Sequence, residues 1–259
     1  MAYEYAIYEK KDHLATITMN RPAVMNAIHP PATAELSEIW DDAIADDNVW
    51  VIILTGAGEK AFSAGNDLKY TAEKGAPTGP QPTGGFGGLT KRTDISKPLI
   101  AAINGVALGG GLEMALACDI LIAADHARLG LPEPRVGLVA AAGGVHRLPR
   151  RMPLSIAMGY ILTGKHMTAQ EAHRWGIVNE VVPLADLMPA VHRWASEILE
   201  CAPLSVRASK QCAMRGLGLT LDEALAQRYP ALKEMAQTED VKEGPRAFAE
   251  KRKPNWQGK

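Results

Sequence analysis

The residues LIAAINGVALGGGLEM (99–114) place a continuous apolar run, an Asn-Gly turn and a triple glycine directly before an apolar helix start. A second stretch, VIILTGAGEKAFSAGNDL (51–68), repeats this order of apolar run, glycine turn, glycine-containing bend and helix start. An apolar run without alternation is typical of a strand covered on both faces. Parallel strands would bring the two bends side by side, where unpaired backbone N–H groups could hold an oxyanion. Tight packing is the commoner reason for such glycines, so both interpretations stay open at this point.

The first two-thirds of the chain predict an α/β domain. HLATITM (13–19) alternates as a half-buried strand does, and DILIAA (119–124) has the continuous apolar character of a buried strand. A helical period begins near Ala34, with an apolar stripe formed by Leu36, Ile39, Trp40, Ala43 and Ile44. Strands that alternate with helices indicate the α/β class.

The last third is predicted to be helical. Beyond Pro183, candidate helices span 184–201, 203–215, 220–237 and 239–251. We therefore divide the chain into an α/β core, 1–199, and a C-terminal helical region, 200–259. A short helical region gains most of its stability by packing an apolar stripe, here against its own core or a neighbouring subunit.

A glycine- and proline-rich segment interrupts the α/β pattern. Residues 75–88, GAPTGPQPTGGFGG, contain six Gly and three Pro. Such a composition is expected to form no regular element. The segment is predicted to be a mobile surface loop or a lid.

Composition and charge argue against several function classes. A formal net charge of −1 over 259 residues disfavours nucleic acid or an anionic membrane as the main partner. The three cysteines fit neither a disulfide framework nor a metal knuckle, and no His-x-x-x-His spacing occurs, so no metal site is predicted. No apolar stretch is long enough to cross a membrane, and the first residues lack the character of a targeting segment. These features predict a cytoplasmic protein.

Two carboxylates stand out among the candidate catalytic residues. Glu113 follows the triple glycine in the first turn of a helix, where the helix dipole alone would favour a carboxylate. Glu133 lies between two prolines in an apolar stretch, although an exposed loop carboxylate is the simpler interpretation. As a pair, they could activate a water molecule and deliver a proton. His146, after Gly143-Gly144, is a further candidate for a capping or orienting group.

Five segments together resemble the enoyl-CoA hydratase/isomerase (crotonase) family, and they occur in the family's order from about residue 5 to the C-terminus. The segments are AFSAGNDLK (61–69), AAINGVALGGGLEMALACDI (101–120), LGLPEPRVGL (129–138), ILTGKHMTAQEAHRWGIVNEVV (161–182) and GPRAFAEKRKPNW (244–256). The resemblance implies a spiral of ββα turns with a helical C-terminal trimerisation region. It also implies a homo-oligomer, a trimer or a dimer of trimers.

The resemblance assigns roles to individual residues. The oxyanion N–H groups would belong to Asn66 and Gly110, and the two catalytic carboxylates to Glu113 and Glu133. The implied CoA- and substrate-binding residues are Ala64, Asp67, Leu68, Lys69, Phe248 and Lys251. Asn66 departs from the family pattern, since many hydratases have a small residue such as Ala there and some members have Trp. The backbone N–H is unaffected by this departure, whereas the acyl pocket could be narrowed or made more polar.

The family resemblance implies an acyl-CoA thioester substrate, with CoA as part of the substrate and no separate cofactor. Two carboxylates favour hydration or dehydration across the 2,3 double bond of a 2-enoyl-CoA. An isomerase, or another acyl-CoA lyase or hydrolase, is the alternative within this fold, because the fold alone does not fix the reaction. A crotonase-like oligomeric binding scaffold without turnover is the non-enzymatic alternative.

Overall fold

The computed structural model describes residues 3–75 and 82–259. The strands are β1 (Ala6–Lys11), β2 (Leu14–Met19), β3 (Val51–Gly56), β4 (Ala61–Ser63), β5 (Leu99–Ile103), β6 (Val106–Leu108), β7 (Ile120–Ala124), β8 (Arg128–Gly130), β9 (His166–Thr168) and β10 (Glu180–Val182). The helices are α1 (Pro30–Ala45), α2 (Leu68–Lys74), α3 (Gly110–Ala117), α4 (Gly144–Arg151), α5 (Leu154–Thr163), α6 (Ala169–Arg174), α7 (Leu187–Leu199), α8 (Pro203–Gly216), α9 (Leu221–Ala226), α10 (Pro230–Met235) and α11 (Asp240–Ala249). Short 3-10 helices span Pro22–Val24, Phe86–Gly88, Glu133–Val136 and Leu184–Asp186.

Two sheets form the core of the α/β part. The larger has the order β1-β2-β3-β5-β7-β10 and is parallel except for the β1–β2 pair. The smaller has the order β4-β6-β8-β9, with only β8 and β9 antiparallel. From β3 to β8 the strands alternate between the two sheets, with α2 between β4 and β5 and α3 between β6 and β7, which confirms the predicted spiral of α/β type.

The continuous apolar runs are explained by packing on both faces of the larger sheet. Every residue of β3 is buried. Ile52 and Leu54 belong to the main apolar cluster, which also contains the inner stripe of α1. Val51 and Ile53 belong to a second cluster with the inner face of α7. Since both faces are covered, alternation of polar and apolar residues disappears from the sequence.

Strand register positions the two glycine bends as neighbours. β3 and β5 are parallel, with Ile52 opposite Leu99. β4, which precedes the first bend, is parallel to β6, which precedes the triple glycine, and Ser63 lies opposite Ala107. Because the carboxyl ends of parallel strands share one edge, both bends emerge at the same place.

One predicted helix is wrong in its extent. The segment 220–237 forms two helices, α9 and α10, separated by Gln227–Tyr229. Pro230 has no backbone N–H and disfavours a helical conformation at the preceding residue, and Tyr229 accordingly has φ −101° and ψ 119°. Residues from Pro203 to Ala249 are otherwise mainly helical, and the division into two domains near residue 200 stays a prediction.

The glycine- and proline-rich segment is more ordered than predicted where it is described. Residues 76–81 lie outside the described residues. Beyond them, Phe86–Gly88 forms a short 3-10 helix with Gly87 and Gly88 buried, so the prediction of a surface segment without any regular element is wrong for this part, whereas its mobility and the choice between a loop and a lid stay predictions. The Trp40 indole N–H donates to the Gly87 carbonyl at 3.1 Å, and a Cβ on Gly88 would lie 2.7 Å from the Ser37 Cα. Glycine here permits close packing on α1.

Within the described residues, no helix is long and apolar enough to cross a membrane.

Candidate active site

A backbone bridge fixes the direction of the Asn66 N–H. The Ile28 N–H donates to the Gly65 carbonyl at 2.8 Å, and the Asp67 N–H donates to the Ile28 carbonyl at 3.0 Å. In an extended chain, the backbone N–H groups of successive residues point to opposite sides. The N–H of Asn66 therefore points away from Ile28, and in the described part of the chain it has no hydrogen-bond acceptor.

Gly110 supplies the second N–H group. It is the first residue of α3, where backbone N–H groups have no partner within the helix and lie at the positive end of its dipole. Among the described residues, its N–H has no acceptor either. A Cβ on Gly65 would lie 2.8 Å from the Gly110 nitrogen, so the two bends are in direct contact. Two N–H groups without an acceptor at neighbouring bends suit an oxyanion, and the oxyanion role of Asn66 and Gly110 stays a prediction.

The triple glycine is required by close approach from three different segments. A Cβ on Gly109 would lie 3.0 Å from Oε1 of Glu133. A Cβ on Gly110 would lie 2.4 Å from the ring of Phe86, and one on Gly111 would overlap the Ser63 carbonyl. The start of α3 is thus enclosed by the carboxylate, the aromatic ring and the first bend. Tight packing, one of the two interpretations of these glycines from the sequence, is confirmed here, and the oxyanion site stays a prediction.

Glu113 is held at one oxygen. Its side chain is buried, and Oε1 accepts a hydrogen bond from the Gly144 N–H at 2.8 Å. Burial raises the pKa of Glu113 to about 7, and the neighbouring charge of Glu133 adds to the rise. The N–H groups of Gly144 and Ala142 act in the opposite direction because they stabilise the ionised form. Near neutral pH this carboxyl group can therefore accept or release a proton.

The Glu133 carboxylate also lies close to the start of α3. Glu133 begins the 3-10 helix after β8, and its carboxylate approaches Gly109, the residue that precedes α3. Burial raises the pKa of Glu133. Its Oε2 atom is buried and has no hydrogen-bond partner in the described part of the chain. An unpaired buried carboxylate oxygen is costly, which favours the protonated form or a polar group from a substrate.

The predicted binding residues of the first bend lie next to this site. Ala64, Leu68 and Lys69 are partly or fully exposed along the bend and the start of α2. Asp67 has a structural role, because Oδ1 accepts from the Tyr70 N–H at 3.0 Å and Oδ2 pairs with Arg21 at 2.9 Å. Both its carboxylate oxygens are engaged, so Asp67 supports the bend rather than presenting a free group.

Phe248 and Lys251 lie at the end of α11. The Phe248 side chain is 87 % exposed, and Lys251 is exposed with φ +53°. In the described residues, neither side chain has a hydrogen bond or an apolar cluster that ties it to Glu113 or Gly110. Their part in CoA binding stays a prediction.

Three residues near the carboxylates were missed from the sequence. Gly144 donates to Glu113, Phe86 packs on Gly110, and Arg147 lies half-buried on α4. The glycine pair at 143–144 is a sequence signal for Gly144, although from the sequence it indicated only His146 as a capping or orienting group. The side chain of His146 is exposed on α4.

In residues 3–75 and 82–259, no group of three or more His, Cys, Asp or Glu side chains is arranged to hold a metal ion.

Relatives of known name share both the sequence and the fold. The chain is 44 % identical over 249 residues to a carnitinyl-CoA dehydratase of Salmonella arizonae, covering 93 % of this chain and 94 % of the relative. It is 44 % identical to the carnitinyl-CoA dehydratase of Proteus mirabilis, with 94 % of each covered. A solved enoyl-CoA hydratase from Mycobacterium marinum superposes with a TM-score of 0.91 at 40 % identity, covering 98 % of this chain and 99 % of that one. One from Bacillus anthracis gives 0.90 at 35 %, covering 99 % and 100 %.

The sequence model described as enoyl-CoA hydratase/isomerase matches residues 9–259. This match covers nearly the whole chain, including both bends, both glutamates and the C-terminal helices. The chain therefore belongs to the enoyl-CoA hydratase/isomerase family.

Proposed function

We propose that the protein is an enoyl-CoA hydratase that adds water to, or removes it from, the 2,3 carbons of a 2-enoyl-CoA thioester. The observation that carries this proposal is the presence of two glutamates, Glu113 and Glu133, at the start of the helix that also provides an oxyanion N–H. Isomerisation of a double bond can proceed with one carboxylate, whereas hydration uses one group for the water and one for the α-proton.

The proposed reaction begins with the thioester oxygen between the N–H groups of Asn66 and Gly110. The water oxygen bonds to the β-carbon while one of its protons passes to a carboxylate. The electrons of the double bond move onto the thioester, and the two N–H groups stabilise the resulting oxyanion. The second carboxyl group then gives its proton to the α-carbon, which completes the addition of one water molecule.

The environments of the two glutamates support distinct roles. Gly144 donates a hydrogen bond to Glu113, which stabilises an ionised group that can take a proton from water. Burial raises the pKa of both glutamates, so the difference between them lies in hydrogen bonding: Glu133 has a buried oxygen without a partner in the described chain, which favours a proton-carrying form. We therefore assign proton delivery at the α-carbon to Glu133 and water activation to Glu113.

For the acyl group, we infer carnitinyl-CoA and crotonobetainyl-CoA. The relatives named carnitinyl-CoA dehydratase are 44 % identical across nearly the whole chain, and the segments FSAGNDLK and GGFGGLT resemble them. The Phe86 ring lies against Gly110, close to where the acyl group would leave the oxyanion site. An aromatic face attracts a quaternary ammonium group, which this acyl group carries.

A spectrophotometric screen tests both levels of the proposal. Purified protein is given crotonyl-, crotonobetainyl-, longer-chain, aryl and steroid-derived enoyl-CoA thioesters, and loss of the conjugated thioester absorbance reports hydration. Highest kcat/KM with crotonobetainyl-CoA would support the acyl assignment. Hydration of another thioester alone would contradict that assignment, and double-bond migration without hydration would contradict the hydratase.

We further infer a homo-oligomer, a trimer or a dimer of trimers, in the cytoplasm. The C-terminal helices and their connections expose large apolar side chains that a monomer would leave in water. After Phe248, the most exposed of these side chains are Leu217, Leu225 and Leu221, at 79 %, 76 % and 74 %. Light scattering that gives a monomer at micromolar concentration would contradict this inference.

A further inference from the structure

We propose that Arg147 is a positioning residue that fixes the Glu113 carboxylate by tying together two segments around the site. This proposal rests on the proposed hydratase function, since it concerns how Glu113 is oriented and kept ionised. Arg147 itself does not touch the oxyanion site, and it acts through the turn that holds Glu113.

The guanidinium of Arg147 donates to carbonyl groups from two separate parts of the chain. Nη2 donates to the Thr90 carbonyl at 2.8 Å, and Nη1 donates to the Ala142 carbonyl at 3.3 Å. Thr90 ends the segment that carries Phe86, the ring packed on Gly110. Arg147 therefore connects the aromatic side of the oxyanion site with the turn at 142–144.

That turn is the one that holds the carboxylate. Gly144 donates its N–H to Oε1 of Glu113 at 2.8 Å. Gly143 has φ +112°, and a Cβ there would overlap Nη1 of Arg147. Gly143 also accepts a hydrogen bond from the Arg147 N–H at 2.7 Å. The turn is thus packed on the guanidinium, and a shift of the arginine would move the Gly144 donor.

The shape of the arginine side chain suits this connection. Its planar head offers several N–H groups in a fixed arrangement, so that two carbonyl groups in different directions are satisfied at once. A lysine provides a similar charge from a single nitrogen atom. Replacement by lysine consequently separates the effect of charge from the effect of the double contact.

The charged and titratable groups around Glu113 define the electrostatic part of the proposal. Glu133, in the segment after β8, raises the pKa of Glu113, and Arg147, on α4, lowers it by a smaller effect. The Cys118 thiol, beyond the end of α3, lies close enough to influence Arg147. Arg147 is the cation of this group, and its charge favours the ionised form of Glu113.

The test compares Arg147→Met and Arg147→Lys with the exposed control Arg150→Met on the same helix. The rate kcat is measured against pH with the best substrate of the screen, and backbone amide exchange is followed across 140–146. For Arg147→Met we expect kcat to fall about 10²-fold. The acid limb, that is, the fall of kcat on the acid side of its pH profile, should have its midpoint about 0.5–1 pH unit higher. Arg147→Lys should lower kcat less and leave the limb in place. Both should speed exchange in the turn, and Arg150→Met should change nothing.

Several outcomes would overturn the proposal. A folded Arg147→Met protein with unchanged kcat and an unmoved limb would do so, and so would a fall in kcat without any movement of the limb. If Arg147→Met does not fold, Arg147→Lys with wild-type kcat and wild-type amide exchange is decisive against it. Amide exchange needs no substrate, so an inactive wild-type protein would contradict the hydratase proposal and leave the positioning role testable.

Discussion

Replacing Glu113 by Gln is expected to stabilise the folded protein above neutral pH while it lowers turnover. Gln keeps the shape of the side chain, and its carbonyl oxygen can still accept from the Gly144 N–H. It removes a charge that folding takes out of water, because Glu113 is only 3 % exposed. Lost activity without lost stability distinguishes a catalytic carboxylate from a packing residue.

The size of the gain follows from the pKa of the group. Folding raises the pKa of Glu113 from 4.5 to about 7, and each unit is worth about 1.4 kcal/mol. Since the folded protein holds this proton more tightly than the unfolded chain, stability is lost as pH rises from 4.5 towards 7. Glu113→Gln should therefore gain about 3 kcal/mol in unfolding free energy at pH 8 and about 1 kcal/mol at pH 5.

The assay is thermal and denaturant unfolding of both proteins at pH 5 and pH 8. A gain of this size corresponds to a rise in Tm of about 6–12 °C at pH 8. The exposed Glu9→Gln on β1 serves as the control and should change neither value. In parallel, kcat of Glu113→Gln should fall about 10²–10⁴-fold. No gain at pH 8, or the same gain at both pH values, would refute the reasoning.

Four further expectations concern other parts of the site and the assembly. Glu133→Gln should lower kcat, measured from initial rates, about 10²–10⁴-fold. The double variant with Glu113→Gln should lose far less kcat than the product of the two single losses, because both groups act on one reaction. Gly110→Ala should cost about 10²-fold in kcat, because its Cβ would lie 2.4 Å from the Phe86 ring, and adding Phe86→Ala should restore part of it. Leu221→Asp, at a 74 % exposed position, should shift light scattering towards smaller species without changing the far-ultraviolet spectrum. Lys251→Ala should weaken acyl-CoA binding in calorimetry while leaving binding of an acyl-pantetheine unchanged; equal losses would place it away from the phosphates.

Much of the architecture could be predicted from local sequence. The apolar runs of β3, β5 and β7 and the stripe of α1 are found where their periodicity placed them, because burial on one or two faces leaves a direct mark on composition. The break between α9 and α10 was missed, although Pro230 carries the signal. The compact packing of Phe86–Gly88 had no local signal, since it depends on the distant partners Trp40 and Ser37.

The candidate site also has features that could be predicted from the sequence and features that could not. The two strand–bend–helix stretches predict paired N–H groups, and the structure brings Gly65 against Gly110. The family resemblance selected both glutamates. Neither source could identify Gly144 as the donor to Glu113 or Arg147 as the contact behind it, because these residues lie more than thirty positions from Glu113 in sequence.

The sequence by itself determined the α/β class, the family, the paired bends and the two carboxylates, since each depends on short-range patterns or on segments retained in order. Only the tertiary structure decided which oxygen of Glu113 is held and which oxygen of Glu133 is left without a partner in the described chain. It also decided how far burial raises each pKa. Hydrogen bonding and desolvation depend on every group that surrounds a side chain, and those neighbours come from segments that are remote along the chain.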